Sequence, residues 1–244
     1  MTRWPYPRWI AHRGAGKLAP ENTLAAFRLG AEYGYRAFEC DVKLSADGVP
    51  FLLHDATLER TTNAAGTAGE RCWSELARLD AGAWHSRRYA GEPLPTLQAV
   101  AAFVQRNGFA LDVEIKPTPG SEAHTGAAVA TEMARLWHGK APAALLSSFQ
   151  PESLRAARDA APELPRALLL DTLPPQAFDA ARDLGCVALI TKHTLMDAAL
   201  IERIRAAGMR ALVYTVNEPE RAHQLLAIGI DGIVTDAVDR FVPD

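Results

Sequence analysis

The sequence predicts an α/β protein closed into a TIM (β/α)8 barrel, and three observations carry that expectation. Short apolar runs rich in β-branched residues alternate with longer, Ala-rich amphipathic stretches, as βα units do. Eight such runs fit into 244 residues, close to the roughly 250 typical of one barrel. With 48% hydrophobic and 23% charged residues the chain can bury a sizeable core, and its composition is not that of a disordered protein.

The strand candidates are residues 9–12, 37–42, 110–115, 144–147, 166–170, 187–190, 211–215 and 232–235. Helix candidates lie between them. Pro20, Glu21, Asn22 and Thr23 precede residues 24–30, and Pro151, Glu152 and Ser153 precede residues 154–160. Pro and acidic residues in a first turn suit the free N–H groups and positive end of a helix. Gly30, Gly34, Gly185, Gly208 and Gly229 fall near segment ends, as helix C-caps do. One stretch breaks the rhythm: residues 55–95 contain no clear βα unit and read as a small insertion after the second βα region. Its aromatics Trp73, Trp84 and Tyr89 are expected to pack in a small core of their own. With no internal repeat and no low-complexity linker, residues 1–244 read as a single domain.

Composition also excludes. A formal net charge of -3 with no long run of Lys or Arg argues against a nucleic-acid binder. The first seven residues lack the apolar stretch of a secretory signal, and no run of about 18 apolar residues follows. The expectation is a soluble cytoplasmic protein, monomer or homodimer, without stable membrane association. Cys40, Cys72 and Cys186 are odd in number, widely separated and without C-x-x-C spacing, so three reduced, buried structural thiols are expected.

In barrels of this kind the chemistry sits at the C-terminal ends of the strands. The first strand stops on His12 and Arg13, a proton-transfer group active near neutrality and a planar fork for phosphate. A lone His there is more often a hydrogen-bonded core residue than a catalyst. In the second strand the two-residue period puts Glu39 and Asp41 on one face and Phe38, Cys40 and Val42 on the other. Two carboxylates side by side repel unless a cation or guanidinium lies between them; the alternative is a pair of salt-bridged surface acids. Residues 111–117 repeat the pattern, with Asp112, Glu114 and Lys116 on one face, and a structural Glu114–Lys116 pair explains them equally well. His54 closes another apolar run and supplies a second imidazole; Asp55 either orients it or caps a turn.

Taken in order, His12-Arg13-Gly14, Pro20-Glu21-Asn22-Thr23, Glu39-x-Asp41, His54-Asp55, Glu114-Ile115-Lys116 and Thr235-Asp236 resemble the glycerophosphodiester phosphodiesterase family over nearly the whole chain. Within that family, residues 4–8, 16–20 and 57–61 look like the bacterial cytoplasmic members associated with glycerol 3-phosphate uptake. The resemblance implies an enzyme that hydrolyses glycerophosphodiesters, small-molecule substrates of lipid and glycerol metabolism. It implies that Glu39, Asp41 and Glu114 bind one divalent cation and that His12 and His54 are the acid/base pair. Arg13 and Lys116 would hold the phosphate, and the insertion would cover the glycerol side. An all-oxygen ligand set favours Mg2+ or Ca2+, with Mn2+ a further candidate. Phe149, Gln150 and Tyr214 are expected pocket-wall residues, Tyr214 standing where many relatives carry Trp.

Overall fold

The computed structural model describes residues 4–243. In chain order its elements are β1 (Trp9–Ala11), α1 (Leu24–Glu32), β2 (Ala37–Leu44), β3 (Pro50–Leu52), α2 (Trp73–Leu76), α3 (Leu97–Arg106), β4 (Ala110–Ile115) and α4 (Glu122–Trp137). They continue with β5 (Leu145–Ser148), α5 (Pro151–Ala160), β6 (Arg166–Leu170), α6 (Ala177–Asp183), β7 (Cys186–Lys192), α7 (Ala198–Ala206), β8 (Arg210–Tyr214), α8 (Pro219–Ala227) and β9 (Gly232–Thr235).

Among the described residues, eight strands pair in parallel, and β1 joins both β2 and β9 so that the sheet closes on itself. The expected barrel is therefore present. Alternation sorts each strand into two environments. Ile10, Ala37, Ala110, Leu145, Ala167, Leu169, Ala188, Ile190, Leu212 and Val234 fill the barrel interior, small residues making room for large ones. Phe38, Cys40, Val42, Leu111, Val113 and Ile115 face outward into the larger core beneath the helices. The faces assigned from the sequence to β2 and β4 are those observed.

Residues 53–95 interrupt the second βα unit, between β3 and α3. β3 was not among the sequence candidates: it is a three-residue antiparallel addition to β2, with Val42 opposite Leu52 and Lys43 opposite Phe51. Three residues are too few to leave a period in the sequence. The insertion has its own core of Phe51, Leu53, Leu58, Ala68, Leu76, Ala81 and Leu94, with Trp73 packed against it. Trp84 departs from expectation, since it is 40% exposed, its indole N–H donating to the Ala81 carbonyl. Tyr89 packs against the main core and lies against His85.

Three local expectations are corrected. Pro20, Glu21 and Asn22 are not in a first helical turn: Thr23 is the N-cap of α1, accepting from the Ala26 N–H, and the residues before it form a loop. Gly30 is inside α1 and not a C-cap; a Cβ there would meet the Gly14 carbonyl oxygen at 2.1 Å, so glycine lets α1 press against the β1–α1 loop. Cys72 is exposed at the start of α2 on the insertion, while Cys40 and Cys186 are buried. The Pro151 start was placed correctly, with α5 opening on the proline itself.

Candidate active site

Every site residue named from the sequence lies at one end of the barrel, where the C-terminal ends of the strands open. The register of β2 on β4 sets Glu39 beside Asp112 and Asp41 beside Glu114, all pointing inward. Glu39, Asp41 and Glu114 each offer an oxygen within 4.8 Å of the others, and all three are buried. Burial, joined by the charges of Asp41 and Glu114, pushes Glu39 well above the usual carboxylate range. Burial and Asp41 likewise push Glu114 up to about 7. Asp41 would also be raised by burial, but Arg13, His54, Lys116 and His12 together bring it below its ordinary value. Glu39 Oε1 and Asp41 Oδ1 are buried with no hydrogen-bond partner. Buried, mutually repelling carboxylates with free lone pairs form a donor set that a divalent cation satisfies.

The β1–α1 loop lies against this cluster in a strained backbone. Arg13 has φ +52° and Asn22 φ +59°, both left-handed positions that residues with a Cβ rarely adopt. Each does something at the cluster. The Arg13 N–H donates to Glu39 Oε2 at 3.0 Å, while its guanidinium lies 3.2 Å from Asp41 Oδ2 and donates to Glu21 Oε1 at 2.8 Å. Asn22 Nδ2 donates to Asp41 Oδ2 at 2.8 Å, and its Oδ1 accepts the Asp41 N–H at 3.1 Å. Asn22 thereby fixes the carboxylate that points into the centre.

The two imidazoles come from different elements and are each held by an Asp. His12 Nδ1 is 2.6 Å from Asp236 Oδ1, which leaves Nε2 facing the cluster, 3.7 Å from Glu39 Oε2. Asp236 is itself held by Asn217, whose Oδ1 accepts its N–H. His54 follows β3, and its Nδ1 is 2.7 Å from Asp55 Oδ1, so of the two readings of Asp55 the orienting one holds. Burial lowers the His54 pKa below that of free imidazole, with Arg13 and Lys116 adding to the effect against Asp41 and Asp55.

Lys116 sits just beyond β4, 2.9 Å from Glu114 Oε1 and above the Phe149 ring at 5.4 Å. The structural ion pair is therefore real, and it stands at the cluster. Phe149 and Tyr214 meet edge to face, ring centroids 5.6 Å apart, and line a recess of about 30 Å3 with His12, Glu39 and Glu114. Glu114 and Phe149 also border a larger cleft of about 290 Å3, lined further by Lys43, His54, Lys116 and Gln150.

Several residues were missed. Lys43 continues the inward alternation of Glu39 and Asp41; it is buried, donates to the Lys116 carbonyl at 2.9 Å, and burial brings its pKa down to about 8. Carrying the strand two residues further would have found it. Asp112, whose inward face the strand period had given but whose partner it had not, accepts from Ser147 Oγ at 2.7 Å inside the barrel, and burial raises it to about 7. Asn22, Glu21 and Asp236 lay inside recognised motifs, but nothing in their spacing gave them a partner.

A barrel of this kind hosts many chemistries, so the fold and the cluster do not name the reaction, and comparison with known proteins decides the family. The model of the glycerophosphoryl diester phosphodiesterase family matches residues 12–240. The chain belongs to this family. It is similar to an Oleispira antarctica phosphodiesterase solved in complex with the product sn-glycerol-3-phosphate, at 33% identity and TM-score 0.89, over 96% of this chain and 95% of that one. It is 32% identical over 227 residues to a glycerophosphodiester phosphodiesterase of Caldanaerobacter subterraneus, covering 93% of each. A glycerophosphodiester phosphodiesterase structure from Agrobacterium tumefaciens is 30% identical with TM-score 0.79, over 96% of this chain and 97% of that one. The protein is thus an enzyme, a phosphoric diester hydrolase of the glycerophosphodiester class. No helix among the described residues is long and apolar enough to cross a membrane.

Proposed function

We propose that this single-domain enzyme hydrolyses glycerophosphodiesters such as glycerophosphocholine and glycerophosphoethanolamine to sn-glycerol 3-phosphate and an alcohol. In this reading it works with one divalent cation, in the cytoplasm, on deacylated phospholipid head groups. The observation that carries it is the convergence of Glu39, Asp41 and Glu114 within 4.8 Å, flanked by His12 on one side and Lys116 on the other. Those three carboxylates are the ligands. An all-oxygen set favours Mg2+ or Ca2+, with Mn2+ possible as a substitute. When bound, such an ion polarises the phosphoryl oxygen and offsets the negative charge of the site.

Arg13 and Lys116 bind the phosphate. Three carboxylates, a dication and a phosphodiester anion sum to about -2, and these two side chains return the site to about 0. His54 is assigned as the base because burial keeps its imidazole neutral at physiological pH; it removes the proton from the attacking hydroxyl. His12, its Nδ1 fixed by Asp236, then protonates the leaving alcohol from Nε2. The neighbouring glycerol hydroxyl is the favoured nucleophile, giving a cyclic phosphate that water opens, which supplies a chemical cause for preferring glycerol esters. Phe149 and Tyr214 form the pocket wall.

The test is release of glycerol 3-phosphate from glycerophosphocholine by purified protein with Mg2+, with Ca2+ and with excess chelator. His12→Ala and Glu114→Gln are run in parallel. Metal-dependent release that both substitutions nearly abolish is the expected result. No release with any cation would leave a binding protein, and faster turnover of intact lipid vesicles would reassign the substrate.

A further inference from the structure

Arg60, in the insertion, makes a connection that the reaction described above does not use. Its Nη1 and Nη2 donate to the two oxygens of Glu21 at 2.7 and 2.8 Å. Its Nε and Nη2 donate to the two oxygens of Asp55 at 2.6 and 3.1 Å. All three nitrogens of one guanidinium are engaged in two forked pairs, a geometry that an ammonium cannot reproduce. The acceptors are not incidental surface acids. Glu21 Oε1 also accepts from Arg13 Nη1 at 2.8 Å, and Asp55 Oδ1 lies 2.7 Å from His54 Nδ1. One side chain therefore fixes the carboxylate that aims the phosphate-binding Arg13 and the carboxylate that aims His54.

We propose that Arg60 is a positioning residue that sets Arg13 and His54 relative to one another, and that this is one use to which the insertion is put. The proposal rests on the roles given above to Arg13 and His54. Glu21 belongs to the β1–α1 loop and His54 to the start of the insertion, and neither residue lies in a helix or strand that would keep the two groups in register. The Arg60 side chain is 44% exposed, so its pairs contribute little to folding stability. Their consequence is geometric: a catalytic group displaced by about 1 Å can cost on the order of 100-fold in rate. The same pairs account for the depressed carboxyl of Asp55, where the Arg60 hydrogen bonds act first and His54 adds to them. Glu21, which burial alone would raise, is brought below its ordinary value by Arg60 and Arg13.

The experiment measures kcat and KM for glycerol 3-phosphate release by Arg60→Ala and Arg60→Lys, with thermal midpoints, and repeats Arg60→Ala with non-denaturing millimolar guanidinium. Arg60→Ala is expected to lose about 10- to 100-fold in kcat/KM with a nearly unchanged midpoint. Arg60→Lys is expected to recover little of that loss, and added guanidinium to recover much of it in Arg60→Ala alone. Wild-type kinetics in Arg60→Ala, full recovery in Arg60→Lys, or no response to guanidinium would each overturn the proposal. Should Arg60→Ala fold poorly, Glu21→Gln, Asp55→Asn and the double variant replace it. Coupling through Arg60 makes their effects non-additive, and simple additivity would overturn it. Arg13→Ala and His54→Ala are the control for the underlying assignment: if they keep wild-type activity, that assignment fails whatever Arg60 does.

Discussion

Asp236 Oδ1 lies 2.6 Å from His12 Nδ1, a contact that joins the end of the last barrel strand to the end of the first across 224 positions of sequence. It decides which imidazole nitrogen is free. With Nδ1 engaged, Nε2 is the atom turned toward Glu39 and the carboxylate cluster. His12→Ala should therefore cost about 100- to 10,000-fold in kcat, the range for losing a general acid. Asp236→Ala keeps the imidazole but frees its orientation and should cost less, about 10- to 100-fold. Steady-state kinetics on the two variants give the comparison, and an Asp236→Ala enzyme as active as wild type would remove the orienting role.

The acid limb of the pH profile belongs to His54 in this mechanism, because the base must be neutral to act. Burial depresses its pKa, so activity is expected to rise with pH below the usual imidazole value of about 6.5 and to level off before it. The Asp55 hydrogen bond works in the opposite direction and holds the pKa up. Asp55→Asn should accordingly shift that limb to still lower pH while reducing kcat. A profile of kcat/KM against pH for the two enzymes tests both statements, and a shift to higher pH would contradict the assignment of His54 as base.

The distribution of these parts explains what the sequence could disclose. The barrel was legible because its signals are local: strand alternation put Glu39, Asp41, Asp112 and Glu114 on inward faces, and the register of β2 on β4 then brought them together. Motif order supplied the two imidazoles and the two cations. What stayed hidden were the partners chosen by loops. Asn22 reaches Asp41 from a left-handed turn, and Arg60 reaches Glu21 across 39 positions, relationships set by tertiary closure and not by any period. Gly30 was misplaced for the same reason, since its need for a missing Cβ arises only once α1 meets the Gly14 carbonyl.

That contact makes a stability prediction. In Gly30→Ala the new methyl would meet the Gly14 oxygen at 2.1 Å and neighbouring Phe38 Cε1 at 2.9 Å, so α1 or the loop bearing His12 and Arg13 must move. Overpacking of this kind costs about 1–3 kcal/mol. At about 2–4 °C per kcal/mol for a chain of this size, thermal unfolding should show the loss plainly. Activity measured well below the midpoint should fall too, because the displaced loop carries His12 and Arg13, the groups proposed to act on the phosphate. A Gly30→Ala protein with an unchanged midpoint would mean that the helix relaxes without consequence.

With Glu39, Asp41 and Glu114 as the proposed cation ligands, removing the cation should make the protein sensitive to pH through those carboxylates. Glu114 has a folded pKa of about 7, raised by burial and Asp41 above the unfolded value of about 4.3. A raised carboxyl means that the folded state holds its proton more tightly than the unfolded one. Its stabilising contribution is complete below about pH 4.3 and is lost as pH rises through about 7. Glutamine at this position has no proton to lose. In excess chelator, Glu114→Gln should therefore gain on wild type in thermal midpoint between about pH 5 and pH 7.5. Millimolar Mg2+ or Ca2+ should reverse the order at pH 7.5, raising the wild-type midpoint while leaving Glu114→Gln nearly unmoved, since the variant lacks one of the three charged ligands. Equal responses of the two proteins to the cation would place its site elsewhere than Glu39, Asp41 and Glu114, and this readout does not depend on turnover.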